Sequence, residues 1–261
     1  MKKPNAASVR NLQWSYRSKV LFRNLHTDLP IDSFISIIGP NGSGKTTLLR
    51  HLLGILESHT GNVDLFGKDI RAYNQREMAR KASYVPQSSR LEYDFTVSEC
   101  VAMGRYAHGG RLAVLTAEDQ LLIDQSLDAM EMRHLANRLA TELSGGEYQR
   151  MLIARALAQQ AKVIFLDEPV SHLDIHNQRE ILRLLRSLVE QKIATVVCIL
   201  HDLNAVSAYS DLVIMMRSGI IVAEGNVGEV LTKERIESVY KIEVDIVPNE
   251  SSGRPLIHPL W

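Results

Sequence analysis

Cysteine is scarce in this chain: two among 261 residues, Cys100 and Cys198, far apart. Two such residues give no disulfide framework and no metal-ligand spacing. Cys198 lies in the apolar run 194–200 and reads as a small buried hydrophobe, and a reducing, cytosolic setting is expected. An excess of one charge is also missing. Lys+Arg and Asp+Glu both number 30, so there is no electrostatic footprint that would make nucleic acid the main partner. Nor does any apolar stretch approach the ~18–20 residues of a membrane helix, so a membrane role has to come through a partner chain. The first ten residues hold two lysines with no apolar segment behind them and do not read as a signal peptide. Low-complexity linkers and internal repeats are absent.

Apolar material is plentiful, at 45% of residues, enough for a large core. Short β-like runs alternate with helical patterns. Residues 33–38 form an apolar run ending at Gly39-Pro40, a strand followed by a turn. Residues 45–56 then carry Leu48, Leu49, Leu52 and Leu53 at helical spacing. Residues 163–166, 195–200 and 212–216 are further β-rich runs, and 175–190 shows Ile181, Leu182, Leu185, Leu188 and Val189 on one helical face. This alternation predicts a mainly parallel sheet covered by helices on both faces. Residues 96–159 differ, being helical with little β character; Thr116 with Asp119 marks one helix start. The expected division is a core of residues 1–93 and 160–240, a helical subdomain over 94–159, and a tail over 241–261. From Pro248 that tail is rich in Pro, Gly and Ser and is expected to be irregular.

Gly39-Pro40-Asn41-Gly42-Ser43-Gly44-Lys45-Thr46, followed by Thr47, matches the phosphate-loop pattern between a strand and a helix. Glycines let backbone N–H groups wrap phosphates, and the following helix adds its positive end. Lys45 is expected at the β- and γ-phosphates and the Thr46 hydroxyl on Mg²⁺. The apolar run 163–166 ends in Asp167 and Glu168. Asp167 is placed to hold Mg²⁺ and Glu168 to orient the attacking water. The loop alone does not separate GTPase, kinase and ATPase.

Leu143-Ser144-Gly145-Gly146-Glu147, followed by Tyr148-Gln149-Arg150, resembles the signature motif of ABC ATPases. Tyr84-Val85-Pro86-Gln87 resembles the Q-loop of that family, Ser171-His172-Leu173-Asp174 its D-loop, and His201 its switch histidine. The resemblance runs from about residue 9 to 240. It implies a RecA-like phosphate-loop α/β ATPase core with an N-terminal antiparallel β-region and an inserted helical subdomain. It also implies hydrolysis of ATP, with Mg²⁺, in a head-to-tail pair. Ser144, Gly145, Gly146 and Glu147 would face the γ-phosphate held by the other copy, ahead of a helix expected over 149–159. Gln87 would touch the Mg²⁺ shell together with Thr46 and Asp167. His201 would bond the γ-phosphate, Asp174 would couple the two sites, and Tyr16 would stack on adenine. Glu147 stands where the commonest signature has Gln, and Val170 where Thr or Ala is usual; neither departure is expected to impair activity.

The stretch 94–108, with 171–175 and 201–204, resembles importers of iron-siderophore, haem and cobalamin. The partners implied are a second copy, two transmembrane permease subunits at the cytoplasmic face of the membrane and, indirectly, an extracytoplasmic substrate-binding protein, with no nucleic acid. Residues 96–108 are expected to line the groove for the permease's coupling helix, with Arg105 as a contact. His172 and His176 are spaced i, i+4, but no third ligand is evident, and they read as polar surface or loop residues. His108, beside Gly109-Gly110, reads as a loop residue near the partner surface. A soluble ABC ATPase acting on nucleic acid or ribosomes, and transport of another cargo, remain the alternatives.

Overall fold

The structure, a computed structural model, describes residues 3–17, 19–87, 94–109 and 114–260. Strands β1 (Asn5–Tyr16), β2 (Lys19–Pro30) and β3 (Phe34–Ile38) lead to helix α1 (Lys45–Leu52). Then come β4 (Thr60–Leu65), β5 (Lys68–Asp69), α2 (Gln75–Ala79), β6 (Ala82–Val85), α3 (Val97–Ala102), α4 (Tyr106–Gly109), α5 (Ala117–Ala129) and α6 (Gly145–Ala158). The rest runs β7 (Val163–Asp167), α7 (Ile175–Glu190), β8 (Thr195–Ile199), α8 (Leu203–Tyr209), β9 (Leu212–Arg217), β10 (Ile220–Gly225), α9 (Val227–Val230), α10 (Lys233–Tyr240), β11 (Val244–Pro248) and β12 (Pro255–Pro259). Two compact units result, residues 1–72 with 195–261, and residues 73–194.

The first unit holds two β-layers. One is antiparallel, in the order β2-β1-β4-β5; this is the N-terminal β-region that the resemblance implied. Ala7, Val9 and Leu12 of β1 are buried, and the pairing shifts register between Val9 and Leu12, where Asn11 takes a φ of 52°. An extra residue of this kind bends a strand and raises its twist. The other layer centres on β3, parallel to both β8 and β9, with β10 antiparallel to β9. Strands β3 and β8 are buried at every residue, which is why they read as continuous apolar runs rather than alternating ones.

The C-terminal segment is not irregular. Strands β11 and β12 form an antiparallel hairpin in which Val244 pairs with Pro259 and Pro248 with Pro255. The Pro/Gly/Ser cluster makes its turn: the Asn249 side chain accepts from the N–H groups of Ser251 and Ser252, and Gly253 N–H bonds the Asn249 carbonyl. Prolines at strand ends lose no ladder bond that the pairing needs.

In the second unit β6 runs parallel to β7, and the block between them is helical, as the pattern indicated. Helices α3, α5 and α6 pack on one another. Helix α5 starts at Thr116 through a capping box with Asp119, and α7 buries Ile181, Leu182, Leu185, Leu188 and Val189. Helix α6 begins at Gly145, four residues earlier than its apolar pattern suggests, because Ser144 and Glu147 complete another capping box.

Candidate functional site

Strand β3 delivers the chain into the phosphate loop, and three glycines turn it: Gly39, Gly42 and Gly44 all have positive φ. At Gly39 glycine is obligatory, since a Cβ would lie 2.1 Å from the Met216 carbonyl oxygen. Helix α1 opens at Gly44 with no side-chain cap and no acid in its first turn, so its positive end is left for another anion. Lys45 is 5% exposed, and its ammonium donates to the Gly39 carbonyl at 2.7 Å and the Pro40 carbonyl at 3.1 Å. The buried Ser43 Oγ has no hydrogen-bond partner among the described residues. Buried polar groups are normally satisfied. An uncapped helix end, a buried cation and an orphaned hydroxyl in one loop fit a phosphate group. Thr46, in the first turn of α1, brings a second hydroxyl.

The carboxylates belong to the second unit. Asp167 ends β7 at 3% exposure, and the Tyr84 hydroxyl donates to its Oδ2 at 3.4 Å. Glu168 follows with a φ of 51°, a conformation that costs a non-glycine residue energy and recurs at functional sites. Ser171 holds this backbone by bonding the Glu168 carbonyl through its N–H and its hydroxyl. Gln87 Nε2 donates to Glu168 Oε2 at 2.7 Å. Gln87 and Glu168, 81 residues apart in sequence, are thus in direct contact, with Asp167 adjacent to Glu168 in the chain and bonded to Tyr84. Tyr84 was visible in the sequence as part of the Q-loop motif; its hydroxyl role was not. A buried carboxylate beside a second, strained one is an oxygen donor set that suits Mg²⁺.

The signature segment and the D-loop meet in this same unit. Ser144 caps α6, and Glu147 accepts from the Ser144 N–H at 2.8 Å. The Ser144 hydroxyl and N–H together hold the Glu147 carboxyl below its ordinary range. Glutamate at 147 is therefore a helix-capping choice. A Cβ at Gly146 would sit 2.2 Å from Asn177 Oδ1, and one at Gly145 would touch Leu173. Asn177 in turn donates its N–H and side-chain amide to Asp174, the N-cap of α7. Those two bonds, the backbone one first, depress the Asp174 carboxyl. Sequence reasoning found Asp174 and Gly146 but missed Asn177, three residues past an N-cap where a reciprocal partner is expected.

In the first unit His201 is exposed just past β8, and Asp202 caps α8. Tyr16 is 64% exposed at the end of β1, tilted against Trp14 with centroids 6.2 Å apart, while the Arg17 guanidinium lies 5.7 Å from its ring centre. An aromatic face left in solvent fits a stacking surface better than a packing residue.

Arg105 departs from its expected place. It is 6% exposed, with Nε on Asp119 Oδ1 at 2.7 Å and Nη1 on the Ala158 carbonyl at 2.7 Å. It ties α5 to the end of α6 and is not a surface contact. Of residues 96–108, Met103, Gly104, Tyr106 and Ala107 line a groove of about 460 Å³ with Gln75, Arg76, Ala79 and Gln159. His108 lies in α4 with Nε2 3.0 Å from the Gln159 carbonyl; Gly110 is outside the described residues.

Comparison with known proteins places these features in a family setting. The profile described as "ABC transporter" matches residues 22–171. The hemin import ATP-binding protein HmuV of Escherichia coli O157:H7 is 37% identical over 257 residues, 96% of this chain and 98% of that protein. The ferric enterobactin transport ATP-binding protein FepC of Escherichia coli K12 is 38% identical over 249 residues, 95% of this chain and 92% of that protein. Among solved structures, a chain of a transporter described as of the metal-chelate type, in an inward-facing conformation, superposes with a TM-score of 0.86. It is 32% identical and covers 99% of this chain and 98% of its own.

Proposed function

The chain belongs to the ABC transporter family and is an ATPase of it, and from that premise we propose that it drives an importer of a metal chelate: an iron-siderophore complex, haem or cobalamin. Cassettes of this family work as dimers, with transmembrane permease partners in importers. No described helix of this chain is long and apolar enough to cross a membrane. In the proposed assembly it sits peripherally on the cytoplasmic face. The groove beside α2 and α4 receives a segment of the permease, and an extracytoplasmic binding protein delivers the cargo. The single observation that carries the catalytic reading is the phosphate loop, with a buried ammonium held on two loop carbonyls beneath an uncapped helix end.

Each residue then has a task. Lys45 exchanges the Gly39 and Pro40 carbonyls for β- and γ-phosphate oxygens. Residues 39–47 enclose the phosphates, and Tyr16 stacks on adenine. Thr46, Asp167 and Gln87 would hold Mg²⁺, which would neutralise charge on the phosphate oxygens. Glu168 orients the attacking water and accepts its proton. The Gln87 amide, bonded to one Glu168 oxygen, fixes the carboxylate's orientation. His201 bonds the γ-phosphate. Ser144, Gly145, Gly146 and Glu147 of the second copy close the site at the positive end of α6, and Asp174 couples the two sites.

Glu168→Gln separates binding from chemistry. The amide keeps shape and one hydrogen bond but cannot take a proton. ATP should bind with near-normal affinity while hydrolysis slows about 10²–10⁴-fold. ATP that binds across the closed pair then holds it together by mass action. On size exclusion the variant should run as a dimer with ATP and as a monomer without nucleotide. Hydrolysis at the wild-type rate would reject Glu168 as the base. Uptake of a ferric siderophore, haem or cobalamin into vesicles carrying the permease complex tests the cargo, and uptake of none of the three would reject the metal-chelate assignment.

A further inference from the structure

The C-terminal hairpin does more than end the chain. Helix α8 has seven residues, too few to hold a conformation by itself. Its first residue lies two positions after His201. What fixes its axis must come from elsewhere in the fold, and the described contacts point to β12.

Asn204, in the first turn of α8, meets the main chain of Ile257. Its Nδ2 donates to the Ile257 carbonyl at 3.0 Å, and its Oδ1 accepts from the Ile257 N–H at 2.8 Å. The side-chain amide thereby plays the part of a neighbouring strand and satisfies both backbone groups of one edge residue. One turn on, the Ser207 hydroxyl donates to the Pro255 carbonyl at 2.6 Å. Arg254 closes the far end. Its Nη1 donates to the carbonyls of Ser207 at 2.6 Å, Ala208 at 3.1 Å and Ser210 at 3.0 Å. These are the acceptors that a helix leaves orphaned at its C-terminus, where a cation is also favoured by the helix dipole. Ser210 continues the chain of contacts inward, its hydroxyl 2.7 Å from that of Ser36 in β3, the strand that feeds the phosphate loop. The hairpin is anchored in its own right, with Val244 and Ile257 buried and Asp245 paired with Lys233 of α10.

We infer that the β11–β12 hairpin is the positioning device for His201, gripping α8 through Asn204 and Arg254 so that the histidine stands where hydrolysis needs it. The inference rests on the proposed contact between His201 and the γ-phosphate. Asn204 and Arg254 are positioning residues: their hydrogen bonds join α8 to the hairpin, and both act through the segment 201–203.

Steady-state ATPase kinetics and histidine spectra of the full chain test this. Asn204→Ala and Arg254→Ala should each lower kcat about 10-fold, the scale of a displacement below 1 Å, with KM and the dissociation constant for ATP unchanged within about twofold. Arg254→Lys, which keeps a cation on the helix end, should recover most of the loss. In protein labelled with ¹³C-histidine, the His201 ring signal should shift or broaden in both alanine variants while that of buried His51 stays in place. If Asn204→Ala folds poorly, Ser207→Ala removes one grip and should give the same split on a smaller scale. An unmoved His201 signal, an undiminished kcat or a rise in KM alone would overturn the inference. Adding Arg254→Ala to His201→Ala should cost nothing further, and an additive loss would overturn action through His201. Wild-type turnover by His201→Ala rejects the switch-histidine reading itself, and is told apart because the His201 signal would still move in Arg254→Ala.

Discussion

Burial decides the charge of His51. The residue lies on α1, fully enclosed, with its ring edge-on to Trp14 at 5.5 Å and to Phe22 at 5.9 Å. Desolvation pushes its pKa from 6.5 down to about 4, with nearby His59 adding to the shift. The unfolded chain takes up this proton near pH 6.5, whereas the folded chain resists it until about pH 4. Stability from this residue is therefore full above pH 6.5 and drains away as pH falls towards 4, by about 3 kcal/mol in all. His51→Leu, similar in bulk and without a titrating group, should flatten the stability curve in that window, as read by denaturant unfolding at pH 7 and pH 5. A slope equal to wild type would clear His51 of any part in it. Cys100 illustrates the same rule for a thiol: burial pushes it up to about 11, which leaves it inert at neutral pH.

At the scale of elements, the helical block is held by caps and by one buried ion pair. The capping boxes of α2, α3, α5 and α6 each place an acid three residues past the cap, a pattern written in four consecutive residues. Asp119 serves twice: it caps α5 with Thr116 and receives Arg105. The Thr116 N–H, then Arg105, draw its carboxyl down to about 2. Its contribution is present above pH 4 and is lost as pH falls towards 2. Arg105→Glu would set a carboxylate against Asp119 and strip the Ala158 carbonyl of its donor. The expected cost is about 3–5 kcal/mol, enough to melt this block and abolish ATPase activity along with any docking. Thermal unfolding followed by circular dichroism measures it. A variant that melts like wild type yet loses its permease would restore the surface role expected from sequence.

At the scale of the whole molecule, the proposed site needs two copies. Lys45→Ala removes the cation from one half of each composite site, and Ser144→Arg puts bulk and charge into the other half. Neither variant alone should associate in the presence of ATP. A mixture can form one site from the intact phosphate loop of the Ser144→Arg chain and the intact signature of the Lys45→Ala chain. ATP-dependent association should therefore return in the mixture, as seen by light scattering. No recovery in the mixture, with both chains folded, would reject the head-to-tail arrangement and leave each chain with a site of its own. Ser144→Arg also removes a helix cap, a loss of about 1 kcal/mol that folding should tolerate.

The sequence by itself determined the phosphate loop, the paired carboxylates at the end of β7, the signature and the starts of α5 and α7. Each depends on neighbouring residues: glycines where the backbone must turn to positive φ, caps three residues from their partners, and strands buried on both faces as unbroken apolar runs. The tertiary structure alone decided that Arg105 is buried, that residues 244–259 form a hairpin holding α8, that Gly146 is shaped by Asn177, and that His51 stays neutral. These depend on which groups meet across long stretches of chain, as Arg105 does with the Ala158 carbonyl and Asn204 with Ile257. Local periodicity cannot register such meetings, because desolvation and hydrogen-bond satisfaction are set by the atoms that surround a group in space.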